Sequence, residues 1–406
     1  MNYRNLSHLY KAVLFVSFCI IAFACEDNSP ELEVKNNYLI DYELLATVEA
    51  EQLKLAAQIF QPGYDVSAIS YDSEIYKVSY KAEHQGDTVK ASGLICIPLA
   101  SKNDDFPFLL GFHPSIGSQS EAPSNYSGTF QSGLELFAAL GYVAIIPDYI
   151  GFGESGSLPH PYLIEKSVGK NSELMLRAAV EMLEELEQNY SQELSFIGYS
   201  QGGYNTVAAL NYFENEAQFD SWQLTAAAAG GAVFDLHLFR EQLANRMSYE
   251  SPESLGYLIY AYHEYYELSG GYDQYFQDIL STQIPYLYGN ELTLSQIRSR
   301  LSTDLSKLLN EEFRLGLKTL DNNAFDQALS ENSIAPWRVK APLHIFHASQ
   351  DSVISIENSK AFYEAVQSKG SQAVEFTELT TPDSHSDAGA PMLLAGVLWL
   401  LEMQEN

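Results

Sequence analysis

The stretch Gly198-Tyr199-Ser200-Gln201-Gly202-Gly203 sets a serine among glycines directly after an apolar run, Leu194, Phe196 and Ile197. This spacing predicts a nucleophile elbow, a tight strand-to-helix turn whose flanking residues must be nearly side-chain-free for the two elements to pass each other. The turn pushes the Ser200 hydroxyl clear of the backbone and leaves the Gln201 N–H and the helix N-terminus beside it, where they can stabilise a developing oxyanion. A serine hydroxyl is a poor nucleophile near neutral pH unless a histidine takes its proton and a carboxylate orients that histidine. Both partners should follow the elbow in the order acid, then histidine, at the ends of later strands. Asp351 stands just beyond the run Leu343-His344-Ile345-Phe346-His347, and His385 lies in the polar stretch Thr381-Pro382-Asp383-Ser384-His385 after the last predicted strand. Taken singly, Asp351 fits a turn residue or helix cap, Ser200 a tight-turn serine and His385 a solvated loop histidine. Order and placement together favour acyl transfer. His344 and His347 sit within or at the end of a strand ahead of the acid, and His160 precedes the elbow; all three are expected to be structural or pocket residues. Asp148 is the next candidate for the acid.

Holding three residues so distant in sequence requires a sheet. Past residue 100 the chain alternates strand-like and helical patterns, which implies parallel strands with right-handed crossovers. Strands are predicted at 108–112, 142–146, 194–197, 224–231, 343–347 and 374–379, and helices at 130–140, 171–188, 202–212, 355–367 and 389–403. Ahead of them, 75–80 and 89–97 read as a hairpin turning at Gln85-Gly86-Asp87, the antiparallel edge of a mixed sheet. Residues 26–74 are expected to be a tether and a helical segment, with Leu44, Leu45, Val48, Leu53 and Leu55 at helical spacing before the turn signal Gln61-Pro62-Gly63. The sheet-forming core then spans 75–231 and 341–406. Between them, 232–340 is too long for an ordinary connection, helical in pattern and rich in tyrosine, and is expected to be a helical cap over the site. Most of its tyrosines are expected in the cap core or on the surface, with one or two at a substrate pocket.

Composition sets wider bounds. The 406 residues are 46% hydrophobic, enough for a large core with an inserted subdomain. With 53 acidic against 22 basic residues the net charge is -31 and no basic run relieves it, which disfavours nucleic acid as a partner. The N-terminus carries Arg4 and Lys11, then an apolar run from Ala12 to Ala24 that is too short to span a bilayer, and then Cys25; residues 1–25 are expected to be a secretory signal. Ala22-Phe23-Ala24-Cys25 resembles a relaxed bacterial lipobox, which implies lipidation of Cys25 and a membrane anchor. Ordinary cleavage near Ala24 would instead release a secreted protein. Cys19 leaves with the signal, so Cys96 is left alone and is expected to be a small buried hydrophobe.

Three motifs carry a family resemblance: Gly111-Phe112-His113-Pro114 followed by Ala122-Pro123-Ser124; Ile146-Pro147-Asp148-Tyr149-Ile150-Gly151-Phe152-Gly153-Glu154-Ser155; and the elbow itself. With Asp351 and His385 they make the chain similar to the serine-type α/β-hydrolases and, more narrowly, to the secretory lipase family and its bacterial relatives. The resemblance implies an α/β-hydrolase fold, a mostly parallel central sheet flanked by helices, with a helical cap. It implies Ser200 as nucleophile, His385 as base then acid, Asp351 as orienter, and the Gln201 N–H as an oxyanion donor. Relatives usually show His-Gly where this chain has His113-Pro114; proline lacks an N–H, so the second donor is expected at Ser115. His113 and Tyr199 are expected at the substrate. No cofactor or metal is called for, since the histidines form no H-E-x-x-H or paired ligand spacing. The expected substrate is a lipid or other hydrophobic ester. A serine peptidase or aminopeptidase, or an esterase removing acetyl or feruloyl groups from polysaccharide, keeps the triad and differs in the cap. A non-catalytic surface lipoprotein is the reading from another class, against which the complete triad stands.

Overall fold

Among the described residues, nine strands form one mixed sheet in the order β1-β2-β3-β5-β4-β6-β7-β8-β9. The computed structural model describes residues 37–60, 66–101, 104–128, 133–217, 222–318 and 323–404, so the signal segment, Cys25 and the acidic tether lie outside the described residues. The antiparallel edge is β1 (Leu39–Val48), β2 (Asp72–His84) and β3 (Asp87–Leu99). Next to β3, and still antiparallel to it, lies β5 (Val143–Pro147); from there β4 (Phe106–Phe112), β6 (Tyr190–Tyr199), β7 (Gln223–Gly230), β8 (Leu343–Ala348) and β9 (Val374–Leu379) continue in parallel. The parallel strands read as unbroken apolar runs because both faces are covered. Alternate residues of one strand serve opposite cores: Phe196 packs with Phe108, Leu110 and Met175 on one face, and Ile197 with Leu109, Ala226 and Met392 on the other.

Among the described residues, five longer helices outside the insertion flank the sheet. They are α1 (Ala50–Phe60), α2 (Glu165–Glu185), α3 (Gln201–Asn215), α7 (Ile356–Ser368) and α8 (His385–Gln404), and three of the insertion's helices are α4 (Leu236–Ala244), α5 (Pro252–Tyr265) and α6 (Ala324–Asn332). Helix α3 packs on β4, β6 and β7, and α8 lies against β6, β7 and β8, so the helices that follow Ser200 and carry His385 grip the central strands. The rest of the insertion between β7 and β8 consists of short helical turns from Tyr272–Gln274 to Glu311–Gly316. Its tyrosines mostly build its own core. Tyr257, Tyr262 and Tyr288 are buried, the Tyr288 hydroxyl donates to the Glu253 carbonyl at 2.9 Å, and that of Tyr262 to the Leu163 carbonyl at 3.0 Å.

Three sequence expectations need correction. Residues 39–48 are strand rather than helix: β2 offers an open edge, paired from Leu39↔Tyr80 to Val48↔Ser73, and this outweighs the helical spacing of Leu44, Leu45 and Val48. The helix begins only at Ala50, whose N–H donates to Asp72 Oδ1 at 2.7 Å, so the N-terminal segment expected over 26–74 contributes a strand to the sheet and a helix behind it. The helix predicted over 130–140 is a 3-10 segment, Leu134–Leu140, held between Gly133 and Gly141, both at positive φ; 129–132 lie outside the described residues. Finally, the last helix starts at His385, four residues earlier than its apolar pattern suggests. His385 is therefore a first-turn residue and not part of a loop.

Candidate active site

The turn after β6 is built as tightly as its composition requires. Ser200 sits at φ 58°, ψ -119°, and its N–H donates to the Gly230 carbonyl of the neighbouring strand at 2.8 Å. A positive φ at a residue with a Cβ costs roughly 1–3 kcal/mol and persists only where surrounding packing enforces it. Here the enforcement comes from close backbone approach: a Cβ on Gly202 would lie 2.0 Å from the Phe112 carbonyl oxygen, and one on Gly198 would lie 2.3 Å from the Gly202 oxygen.

The three residues singled out by order come together. His385 Nε2 lies 3.0 Å from Ser200 Oγ, and His385 Nδ1 lies 2.6 Å from Asp351 Oδ2. A carboxylate accepts only, so Nδ1 carries the proton and the Nε2 lone pair faces the hydroxyl. The Tyr199 hydroxyl donates to the His385 carbonyl at 2.6 Å and its ring packs beside the imidazole, tying the last residue of β6 to the first turn of α8. Asp351 is buried in the loop after β8, where its Oδ1 accepts from the N–H groups of Val353 at 2.9 Å and Ile354 at 2.8 Å. Burial pushes its carboxyl pKa up, but hydrogen bonds from His347 and His385 outweigh this and hold it well below the usual carboxylate range. The arrangement can move a proton from Ser200 Oγ to Nε2 as Oγ attacks an electrophilic carbon, with the imidazolium facing a fixed anion.

The remaining candidates are placed unequally. Gln201 begins α3, so its N–H stands at the positive end of that helix. Its side chain is buried, with Nε2 at 2.7 Å from His160 Nε2, and His160 Nδ1 lies 2.7 Å from the Ile150 carbonyl. The carbonyl can only accept, so the His160 proton is on Nδ1 and Gln201 donates to Nε2. Burial lowers the His160 pKa to about 3, which keeps the ring neutral in this role. Nothing in the sequence spacing links His160 to the elbow; the contact with Gln201 forms across 41 residues of chain. Ser115 lines the cavity at Ser200, with its Oγ 3.0 Å from the Tyr162 hydroxyl. His113, expected at the substrate, is instead buried to 2% exposure, stacks on Tyr149 at 4.0 Å and donates from Nδ1 to the Pro114 carbonyl at 2.7 Å, so it shapes the loop leading to Ser115 from behind. Asp148 is no rival acid: it is fully buried, accepting from Ser92 Oγ at 2.6 Å and the Ser124 N–H at 2.7 Å, where it clamps β3 and the 122–125 turn to the end of β5. Cys96 is buried, and burial raises its thiol pKa well above the usual value, leaving it a hydrophobe.

A cavity of about 410 Å³ opens over Ser200 and His385. Leu236, Phe239 and Leu258 of the insertion, with Val353, Ile354 and Leu393, are among its apolar lining residues; Ser251, Glu253, Ser254 and Arg298 are among its polar ones. Arg298 pairs with Glu253, to which Ser251 also donates at 2.6 Å. Of the insertion's tyrosines, Tyr249 borders this cavity.

Several known proteins share this architecture. A Legionella pneumophila protein described as a proposed hydrolase superposes with a TM-score of 0.82 at 22% identity, covering 90% of this chain and 98% of that one. The rice cell wall degrading esterase LipA of Xanthomonas oryzae gives 0.77 at 22% identity over 92% of this chain and 98% of its own. In sequence, Lipase 10 of Candida albicans is 24% identical over 297 residues, 70% of this chain and 61% of that protein, so the match spans less than two thirds of that relative's length. The family model of the secretory lipases matches residues 129–402, which take in the elbow, the insertion, Asp351 and His385. That match extends over more than half of the sequence, and the chain belongs to the secretory lipase family.

Proposed function

We propose that this chain is an exported serine carboxylic-ester hydrolase that works through an acyl-enzyme on Ser200. The observation that carries the reading is the single imidazole of His385 bridging Asp351 at 2.6 Å and Ser200, held at positive φ, at 3.0 Å. Ser200 Oγ attacks the ester carbonyl carbon while its proton passes to His385 Nε2. The carbonyl oxygen becomes an oxyanion facing the Gln201 N–H and the backbone at Ser115. Collapse breaks the bond to the alcohol oxygen, which takes the proton from His385 and leaves. Water then repeats the sequence on the acyl-enzyme, with its proton going to His385, and restores Ser200 with release of the acid. Asp351 stays ionised throughout and fixes the tautomer.

The insertion over 232–340 acts as the cap, since ten of its residues line the cavity at the serine. Apolar walls favour a hydrophobic acyl group. A second reading is favoured by the polar lining: Ser251, Ser254 and the Glu253–Arg298 pair offer donors and acceptors suited to a hydroxyl-bearing part of the substrate, and LipA is a cell wall degrading esterase. Hydrolysis of p-nitrophenyl esters from acetate to palmitate, beside an acetylated or feruloylated sugar, separates the two. Activity absent from Ser200→Ala establishes the serine hydrolase; equal turnover by that variant overturns it. Export rests on the N-terminal segment and family membership, and a lipid anchor at Cys25 on the lipobox-like Ala22-Phe23-Ala24-Cys25. Cys25→Ala should move the protein from the membrane fraction to the soluble one, and an unchanged distribution removes the anchor.

A further inference from the structure

The Asp351 carboxylate faces two imidazoles. Besides His385, the ring of His347 at the end of β8 brings Nε2 to 3.3 Å from Asp351 Oδ2, and both side chains are fully buried. The same Nε2 lies 2.9 Å from the Ile354 carbonyl, and Nδ1 lies 2.7 Å from Ser359 Oγ on α7. A carbonyl accepts only, so Nε2 carries a proton, and that one N–H is shared between the Ile354 oxygen and the carboxylate. A Ser359 hydroxyl donating to Nδ1 makes the ring neutral. The neutral form suits the site, because a second imidazolium would cancel the charge that Asp351 holds for His385. The loop is thereby cross-tied: Ile354 gives its N–H to Oδ1 and its carbonyl to His347.

We infer that His347 is a positioning residue for the reaction, a neutral Nε2–H tautomer fixed by Ser359 that aligns Asp351 behind His385. This rests on the serine-hydrolase reading of the site. The other titratable or charged groups near the pair are Tyr199 from β6, and Tyr249, Arg246 and Glu250 from the insertion. Arg246 donates to the Ser352 carbonyl at 2.6 Å, Glu250 accepts from the Ser352 hydroxyl, and burial raises both phenols, so they stay neutral. None changes in the variants below.

The test compares Ser200→Ala, His347→Leu, His347→Gln and Ser359→Ala on p-nitrophenyl acetate, with kcat, KM, pH profile and thermal melting measured together. Loss of the His347 donor should lower kcat roughly 10- to 100-fold with KM nearly unchanged, as small misplacements of reacting groups do. Less neutralised, Asp351 should favour the His385 imidazolium more, moving the acid limb of kcat/KM to higher pH. Glutamine, whose amide can place a donor near the lost Nε2, should recover most of the rate. Wild-type activity and an unmoved limb in folded His347→Leu overturn the inference while a dead Ser200→Ala leaves the serine mechanism standing; an active Ser200→Ala overturns both. Should the leucine variant not fold, ¹⁵N-histidine spectra of the wild-type protein decide, the His347 signals being identified by their shift in Ser359→Ala. A protonated Nε2 with a bare Nδ1 from pH 6 to 9 supports the assignment, and an Nδ1–H tautomer or an imidazolium ends it.

Discussion

Asp351 keeps its charge in a buried loop through four donors: two backbone amides on Oδ1 and two imidazoles on Oδ2. An amide in its place would present an N–H to His385 Nδ1 and force the proton to Nε2, where it faces Ser200 and blocks proton acceptance. Asp351→Asn should therefore fold and bind ester while kcat falls by about 10⁴-fold. A loss of less than tenfold in steady-state hydrolysis would move the orienting role to another group. The sequence made these three residues legible because the mechanism fixes their order and each follows a strand. It left the role of His160 illegible, because its partner is a side chain that only tertiary folding brings near: Gln201 is 41 residues from His160. A faint signal did exist for His347, which lies four residues before the acid at the strand end, and His113 was misjudged because a motif position says nothing about which side of a loop the ring takes.

At the scale of elements, the elbow works because β6, α3 and the end of β4 touch through backbone. The Gly202 Cα lies against the Phe112 carbonyl, so Gly202→Ala must either push α3 outward or strain β4. Overpacking of this kind costs typically 1–3 kcal/mol, and the displaced α3 N-terminus would carry the Gln201 N–H away from the oxyanion. The variant should melt several degrees lower and lose kcat more than KM, checked by calorimetry beside steady-state kinetics. A variant with unaltered melting and rate would mean that the elbow tolerates a methyl group. Strand and helix alternation across β4 to β9 could be read from apolar runs and crossover lengths. β1 could not, since its residues carry helical spacing and its strand state depends on an edge supplied by β2, about 35 residues on. The start of α8 was equally hidden, because its first turn, His385-Ser386-Asp387, is polar while the apolar pattern begins later.

The whole molecule sets two electrostatic demands against each other as pH falls. With a net charge of -31, protonating carboxylates relieves self-repulsion, but that relief comes mostly below about pH 5, where ordinary carboxylates titrate. Buried histidines act earlier, His113 and His160 with the largest shifts, and burial also lowers His84, His263 and His344. Burial lowers the His113 pKa to about 4 and that of His160 to about 3, while in the unfolded chain both titrate near 6.5. Below that value the unfolded state binds more protons than the native one, so stability falls as pH drops, by up to about 1.4 kcal/mol per pH unit for each group. Asp351 contributes with the opposite reference point: its depressed carboxyl stabilises the fold above the unfolded value near 4 and loses that contribution only as pH falls further. Urea unfolding should therefore show stability declining between pH 6.5 and 5, with His113 and His160 alone contributing a slope approaching 3 kcal/mol per unit, an uptake of about two protons. The largest part of the decline comes from the two rings that shape the Ser115 loop and hold Gln201, so activity should fall in the same window once unfolding is reached. A stability that stays flat from pH 7 to 5 would show that these rings are charged in the native protein, and with that the neutral His160 acceptor for Gln201 would be lost.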